Sequence, residues 1–224
     1  MLNIMTVADL HIHTTYSPDS TIDPLKLYEH AKRLGLDVIC ITDHNVFEDS
    51  SGIESIQDPG NKPVIIKGVE LATDSGEILV FGLKNDFWKK TLKNLEVLPP
   101  LKKVLNEIEN MDAVAIWAHP FRKYSSMHYG TDLNKFHQIK IIETLNGNNS
   151  DYENELAKEY AIQNNYKQVG GSDAHTISEV GKRLTLFEHK IKCSSDLVRA
   201  LRTSNYRPIT ISDLKSKDLS RLIK

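Results

Sequence analysis

Six short runs rich in β-branched residues recur along the 224-residue chain, at Ile4 to Ala8, Val38 to Thr42, Val64 to Val69, Ala113 to Ala118, Lys140 to Thr144 and Lys167 to Val169. Helical patterns lie between several of them, and strands alternating with helices build a parallel sheet with helices packed on its faces. The clearest helix starts at Asp23, an N-cap residue, with Pro24 at the first helical position; Leu27, Tyr28, Ala31 and Leu34 form its apolar face and Gly35 ends it. Further helices are expected over Leu101 to Glu109, Asp151 to Asn164 and Ser195 to Arg202. Ile78 to Phe81, after the turn residues Asp74-Ser75-Gly76, reads as a strand added by a hairpin. The length suits one core, so residues 1–224 read as a single domain with a solvated lysine-rich tail from about residue 215.

The polar residues fall at fixed places on this pattern. Asp9-Leu10-His11-Ile12-His13 follows the first run, Thr42-Asp43-His44 the second, Gly68-Val69-Glu70 the third, Ala118-His119-Pro120 a later one and Ser172-Asp173-Ala174-His175 the sixth. Carboxyl ends of parallel strands converge on one mouth, where barrel enzymes place their catalytic groups. In an extended segment His11 and His13 share a side, so both imidazoles can hold one ion, and Asp173 with His175 repeats that spacing. Mixed imidazole and carboxylate ligands suit zinc, manganese or iron better than calcium. Glu70 can bridge two ions.

Composition closes off several other classes. A net charge of −2 lacks the basic excess of a dedicated nucleic-acid binder, although bound divalent ions would reverse the field of an acidic pocket. Cys40 and Cys193 form neither a CxxC pair nor a disulfide framework and read as structural thiols. With no apolar stretch approaching 18 residues and no basic-then-apolar leader, no membrane partner is expected and the cytoplasm is the default location.

The motifs His11-x-His13, Asp19 six residues later, Thr42-Asp43-His44, Gly68-Val69-Glu70, Ala118-His119-Pro120 and Gly171-Ser172-Asp173-Ala174-His175 resemble, in order, those of the PHP (polymerase and histidinol phosphatase) family. The resemblance spans about three quarters of the chain, from Asp9 to His175. It implies an α/β fold, a distorted (β/α)7 barrel with its metal site at the carboxyl ends of the strands, and two or three divalent ions. By motif, His11, His13, Glu70 and Asp173 would hold the first ion, Glu70 and His119 would contribute to a second, and Asp19, His44 and His175 would hold a third. Asp9 and Asp43 would orient the neighbouring imidazoles. One position departs from the commoner family pattern: Glu77 stands where a histidine precedes the strand that follows the bridging glutamate, so a carboxylate would coordinate there or the site would be partly filled.

Closely spaced ions activate water and stabilise an in-line displacement at phosphorus, with no serine or cysteine nucleophile. Arg122, three residues after His119, and Arg183, eight after His175, are candidates to bind the phosphate as planar forks. The resemblance thus implies metal-dependent hydrolysis of a small phosphomonoester, nucleotide or short oligonucleotide, without an obligate protein partner. The alternatives are a histidinol phosphatase, a proofreading partner of a DNA polymerase, and a non-catalytic PHP-like scaffold or RNA-binding subunit. His30, His128 and His137 read as surface residues and Trp88 and Trp117 as packing residues; Tyr16 and Asn45 adjoin proposed ligands.

Overall fold

The computed structural model describes residues 5–46, 60–83, 98–123 and 133–215. Trp88, His128 and the tail beyond residue 215 lie outside them. Nine strands form one sheet: β1 (Thr6–Ile12), β2 (Val38–Ile41), β3 (Val64–Thr73), β4 (Gly76–Phe81), β5 (Val114–Trp117), β6 (Ile141–Asn146), β7 (Lys167–Gly171), β8 (Arg183–Phe187) and β9 (Tyr206–Thr210). Their order is β7-β6-β5-β4-β3-β2-β1-β8-β9. The sheet curls until the end of β7 meets β1: Ile12 bridges Ala174, Asp173 N–H donates to the His11 carbonyl at 2.7 Å, and His13 N–H donates to the Ala174 carbonyl at 3.0 Å. The result is a nearly closed, barrel-shaped sheet in a mixed α/β fold.

The parallel alternation expected from sequence is interrupted in two places, the first of them at the hairpin expected for Ile78 to Phe81. The β3–β4–β5 segment is an antiparallel meander, and β8 runs antiparallel to both β1 and β9. β8 and β9 were not legible in the sequence. Proline at position 208 argues against a strand, and it is tolerated here because β9 is last in the sheet order, where a missing N–H leaves no ladder gap. Because β1, β2, β3, β5, β6 and β7 still run one way, their carboxyl ends share one rim. β4 starts at that same rim, which is how Glu77 reaches it.

Three apolar clusters hold this sheet. Helix α1 (Pro24–Leu34) places Leu27, Tyr28 and Ala31 against Ile39 and Ile41. Asp23 caps it by accepting from Leu25 and Lys26 N–H, and Gly35 closes it in the left-handed region at φ 75°. Helix α2 (Leu101–Glu109) packs Val104, Leu105 and Ile108 with Val69, Ile78, Val80 and Trp117; Ala157 and Ala161 of α3 (Asp151–Gln163) join that cluster. Helix α4 (Ser194–Thr203) packs Leu197, Val198 and Leu201 with Leu10, Cys40, Phe81 and Ile116. A short α5 (Ile211–Lys215) follows β9. β1, β2 and β5 are buried along their whole length, which explains the continuous apolar runs of β2 and β5; β1 carries Asp9 and His11 inside.

Candidate metal centre

Two of the polar motifs lie inside strands rather than after them. β1 runs on through His11, and pairing with β4 extends β3 to Thr73, so Glu70 sits mid-strand opposite Leu79. A buried strand interior is costly for a charge that has no partner, so each of these groups must be matched.

The matching makes Nδ1 the donor in three imidazoles. His11 Nδ1 lies 3.0 Å from Glu143 Oε1, a carboxylate that can only accept, so Nδ1–H donates and Nε2 faces the other way. Ser17 gives its one hydroxyl proton to Asp43 at 2.7 Å and accepts His44 N–H at 3.0 Å, so the third contact, His13 Nδ1 at 3.3 Å, is also a donor. His175 Nδ1 donates to the Asp173 carbonyl at 2.9 Å. The three Nε2 atoms are therefore the ones turned to one cluster: His11 and His13 Nε2 are 3.1 Å apart, and His175 Nε2 is 3.3 Å from Asp19 Oδ2.

Two buried carboxylates complete it. Glu70 places Oε1 2.8 Å from His119 Nε2 and 3.4 Å from His11 Nε2, and Oε2 2.8 Å from His44 Nδ1 and 3.3 Å from His13 Nε2. Asp173 divides its oxygens: Oδ1 faces His13 and His11 Nε2 at 3.2 and 3.4 Å, and Oδ2 accepts from Arg122 and Asn146. Glu77 Oε2 is 3.8 Å from His119 Nε2. Four sets of ligand atoms lie within 4.8 Å of one another: His13, His44 and His175; His11, His13 and Glu70; His11, His119 and Asp173; His44, Glu70 and Glu77. The sets overlap, and they add Glu77 to His44 and Glu70, and Asp173 to His11 and His119.

The electrostatics ask for cations. Burial pulls the His11 imidazole down, but Asp173, Glu143 and Glu70 outweigh it and hold it well above its usual value. Burial wins at His13, which is lowered despite Asp173 and Glu70. His44 is pushed up to about 9, burial being overcome by Glu70 and Asp19. Burial would raise Glu70 and Asp173, yet the surrounding imidazoles hold both well below the usual carboxylate range. Glu77 is raised by burial and by Glu70 beside it. His119 Nδ1 is buried without a hydrogen bond among the described residues. Imidazole nitrogens converging on the buried carboxylates Glu70 and Asp173 fit divalent ions.

Backbone strain aims several of these groups. Asn45, His119 and Asp173 have φ of 54°, 27° and 52°, in the left-handed region that side chains with a Cβ disfavour. Asp173 is therefore not extended, and the alternation that pairs His11 with His13 does not carry over to Asp173 and His175. His175 turns toward Asp19, while its Nδ1 stays 3.8 Å from Asp173 Oδ1.

A family model described as PHP-associated matches residues 151–206. An uncharacterized protein of Methanocaldococcus jannaschii is 32% identical over 124 residues, covering 51% of this chain and 67% of its own. The chain belongs to the PHP family. In fold it is similar to PsfC from Pseudomonas syringae, with a TM-score of 0.73 at 18% identity over 97% of this chain and 98% of that one. It is also similar to the lesion-specific endonuclease EndoQ of Pyrococcus furiosus, with a TM-score of 0.66 at 19% identity over 92% of this chain. It spans only 58% of that endonuclease.

Set on this PHP fold, the residues picked out from sequence separate into groups. His11, His13, Asp19, His44, Glu70, Glu77, His119, Asp173 and His175 come together, and Arg122 adjoins them through Asp173. Arg183 does not: its nearest carboxylate is Asp151 at 3.9 Å, and its Nη1 bonds only the Lys182 carbonyl. Asp9 contacts no imidazole; it accepts backbone N–H groups from Ser172, Gly181 and His11, and burial raises its carboxyl to about 6. Asp43 acts on His13 only through Ser17. The carboxylate that does orient an imidazole is Glu143, which sequence reading missed because a single acid in the β6 run carries no motif. Asn45 is a strut, accepting Ala72 N–H at 3.0 Å. Trp117 is buried against Phe136, and His30 and His137 sit on the surface.

Proposed function

We propose that this PHP protein hydrolyses a phosphate ester with two or three divalent ions, zinc, manganese or iron, held by His11, His13, Asp19, His44, Glu70, His119, Asp173 and His175, with Glu77 as a further ligand. One observation carries the reading: imidazole Nε2 atoms and the buried carboxylates Glu70 and Asp173 face one another beside an arginine that sits on the second oxygen of Asp173. Bound divalent ions supply an activated water and neutralise phosphoryl oxygens. The chain's own residues do the rest. Glu143, Ser17 and the Asp173 carbonyl keep the imidazoles in the ligating tautomer, Glu70 places one oxygen toward each side of the cluster, and Arg122 offers a planar cation to the phosphoryl group.

The substrates that suit this site are small phosphomonoesters, nucleotides and short oligonucleotides, in keeping with a net charge of −2 and with the nuclease action of the EndoQ relative. Among the described residues no helix is long and apolar enough to cross a membrane. The test is a screen of metal-stripped and reconstituted protein on nitrophenyl mono- and diesters, nucleotides, short oligonucleotides and histidinol phosphate. Turnover that is lost on stripping and returns with metal is expected. Reconstituted protein that holds its ions but turns over none of these esters would leave the scaffold alternative standing.

A further inference from the structure

A guanidinium helps a phosphoryl transfer only when its plane is held, since a mobile fork spends its interaction energy on becoming ordered. Three acceptors hold Arg122. Nε donates to Asn149 Oδ1 at 2.8 Å, and Nη2 donates to Asn146 Oδ1 at 2.7 Å and to Asp173 Oδ2. Of these, Asn146 reaches furthest. Its side chain is fully buried, and its Nδ2 donates both to Glu143 Oε2 at 2.9 Å and to Asp173 Oδ2 at 3.2 Å. Glu143 is in turn the partner of His11 Nδ1 and of His119 N–H.

Only an amide satisfies this position. It must accept from a cation at one end and donate to two carboxylates at the other; an aspartate would set a third carboxylate against Glu143 and Asp173. The backbone here is anchored separately, because Asn154 accepts Asn146 N–H at 3.0 Å and donates to its carbonyl at 3.1 Å. The side chain is left to the site and to the turn after β6, where its Oδ1 also accepts Asn148 N–H at 2.8 Å.

We propose that Asn146 is a positioning residue that locks the Arg122 guanidinium onto Asp173 Oδ2, so that the phosphate-binding cation and the ion-binding carboxylate keep one register. The phosphate part of this assignment rests on the phosphoesterase reading; the lock itself does not. The consequence is that the effect of Asn146 on phosphate binding runs through Arg122, so the two residues are energetically coupled.

The experiment compares full-length wild type, Asn146→Ala, Arg122→Met and the double variant. The readouts are ions per chain after reconstitution, affinity for inorganic phosphate by calorimetry, and solvent exchange of the Arg122 Nη–H groups by NMR in metal-free protein, with Arg122→Met supplying the assignment. Asn146→Ala should keep the wild-type ion content, speed Nη–H exchange, and weaken phosphate binding about tenfold, the scale of a lost charge-assisted hydrogen bond. The double variant should stay within about threefold of Arg122→Met alone. Unchanged exchange and affinity, single losses that multiply, or a loss that tracks missing ions would each overturn the proposal. Wild type that binds no phosphate and cleaves no ester, while Asn146→Ala still frees the Nη–H groups, would uphold the lock and remove the phosphoesterase reading. Should Asn146→Ala fail to fold, Asn146→Ser, which keeps a hydroxyl in the gap, is read in the same way.

Discussion

Gly171→Ala tests the whole arrangement with a single methyl group. A Cβ at this position would lie 2.5 Å from His11 Cβ, 2.7 Å from Glu143 Oε1 and 3.1 Å from the His11 backbone nitrogen. None of these is the loose end of a flexible side chain: His11 and Glu143 are fully buried, and His11 is part of β1. Relief requires β1 and β7 to part or Glu143 to leave His11. Overpacking a tight interior costs about 1–3 kcal/mol. Losing the 3.0 Å His11–Glu143 hydrogen bond adds about 1.5–3 kcal/mol, as for bonds to charged groups. A total of roughly 3–6 kcal/mol corresponds to a fall in Tm of roughly 6–24 °C for a chain of this size. Thermal unfolding in chelator measures that loss without any contribution from bound metal, and elemental analysis after reconstitution shows whether His11 still ligates. A variant melting within about 2 °C of wild type and holding its full complement of ions would show that Gly171 is not needed for this approach, and the placement of Glu143 on His11 would have to be abandoned.

Glu70→Gln should cost ions as well as rate, because an amide cannot bridge among four imidazoles; a fall in kcat/KM of about a thousandfold or more is expected, and unchanged ion content would remove the bridge. Glu77→Ala should lower occupancy at the His44–Glu70 group, with added Mn2+ partly restoring the rate, whereas Glu77→His should retain the ion and shift preference toward zinc. Identical metal titrations for wild type and both variants would show that Glu77 is not a ligand. In metal-free protein His44 is raised from 6.5 to about 9, so its contribution to stability is complete below pH 6.5 and is lost as pH rises through about 9. Tm in chelator should fall across that window, and a flat profile in which His44→Gln matches wild type would eliminate the His44–Glu70 ion pair.

What the amino-acid order determined by itself was local or periodic. Asp23, Pro24 and Gly35 delimit α1 through caps made within a few residues, and two-residue alternation puts His11 and His13 on one side of β1. The strand-end motifs were legible because a repeated placement, acid or histidine after a β-branched run, survives without knowledge of the partner strands. The tertiary structure decided the rest. Glu143 and His11 are 132 residues apart, and nothing in the β6 run marks the acid until the rolled sheet lays β6, β7 and β1 together. The turn Asp74-Ser75-Gly76 marked the β4 hairpin, but the antiparallel course of β8 and the edge strand with Pro208 depend on hydrogen bonds to neighbours that no local pattern names. The left-handed backbone at Asp173 cancels the alternation expected there, so His175 faces Asp19 instead. Arg122 and Arg183 looked alike in sequence; Asp173 with Asn146 captures the first, while the second comes no nearer than 3.9 Å to the exposed Asp151, because a long side chain is placed by the acceptors that surround it rather than by its own position in the chain.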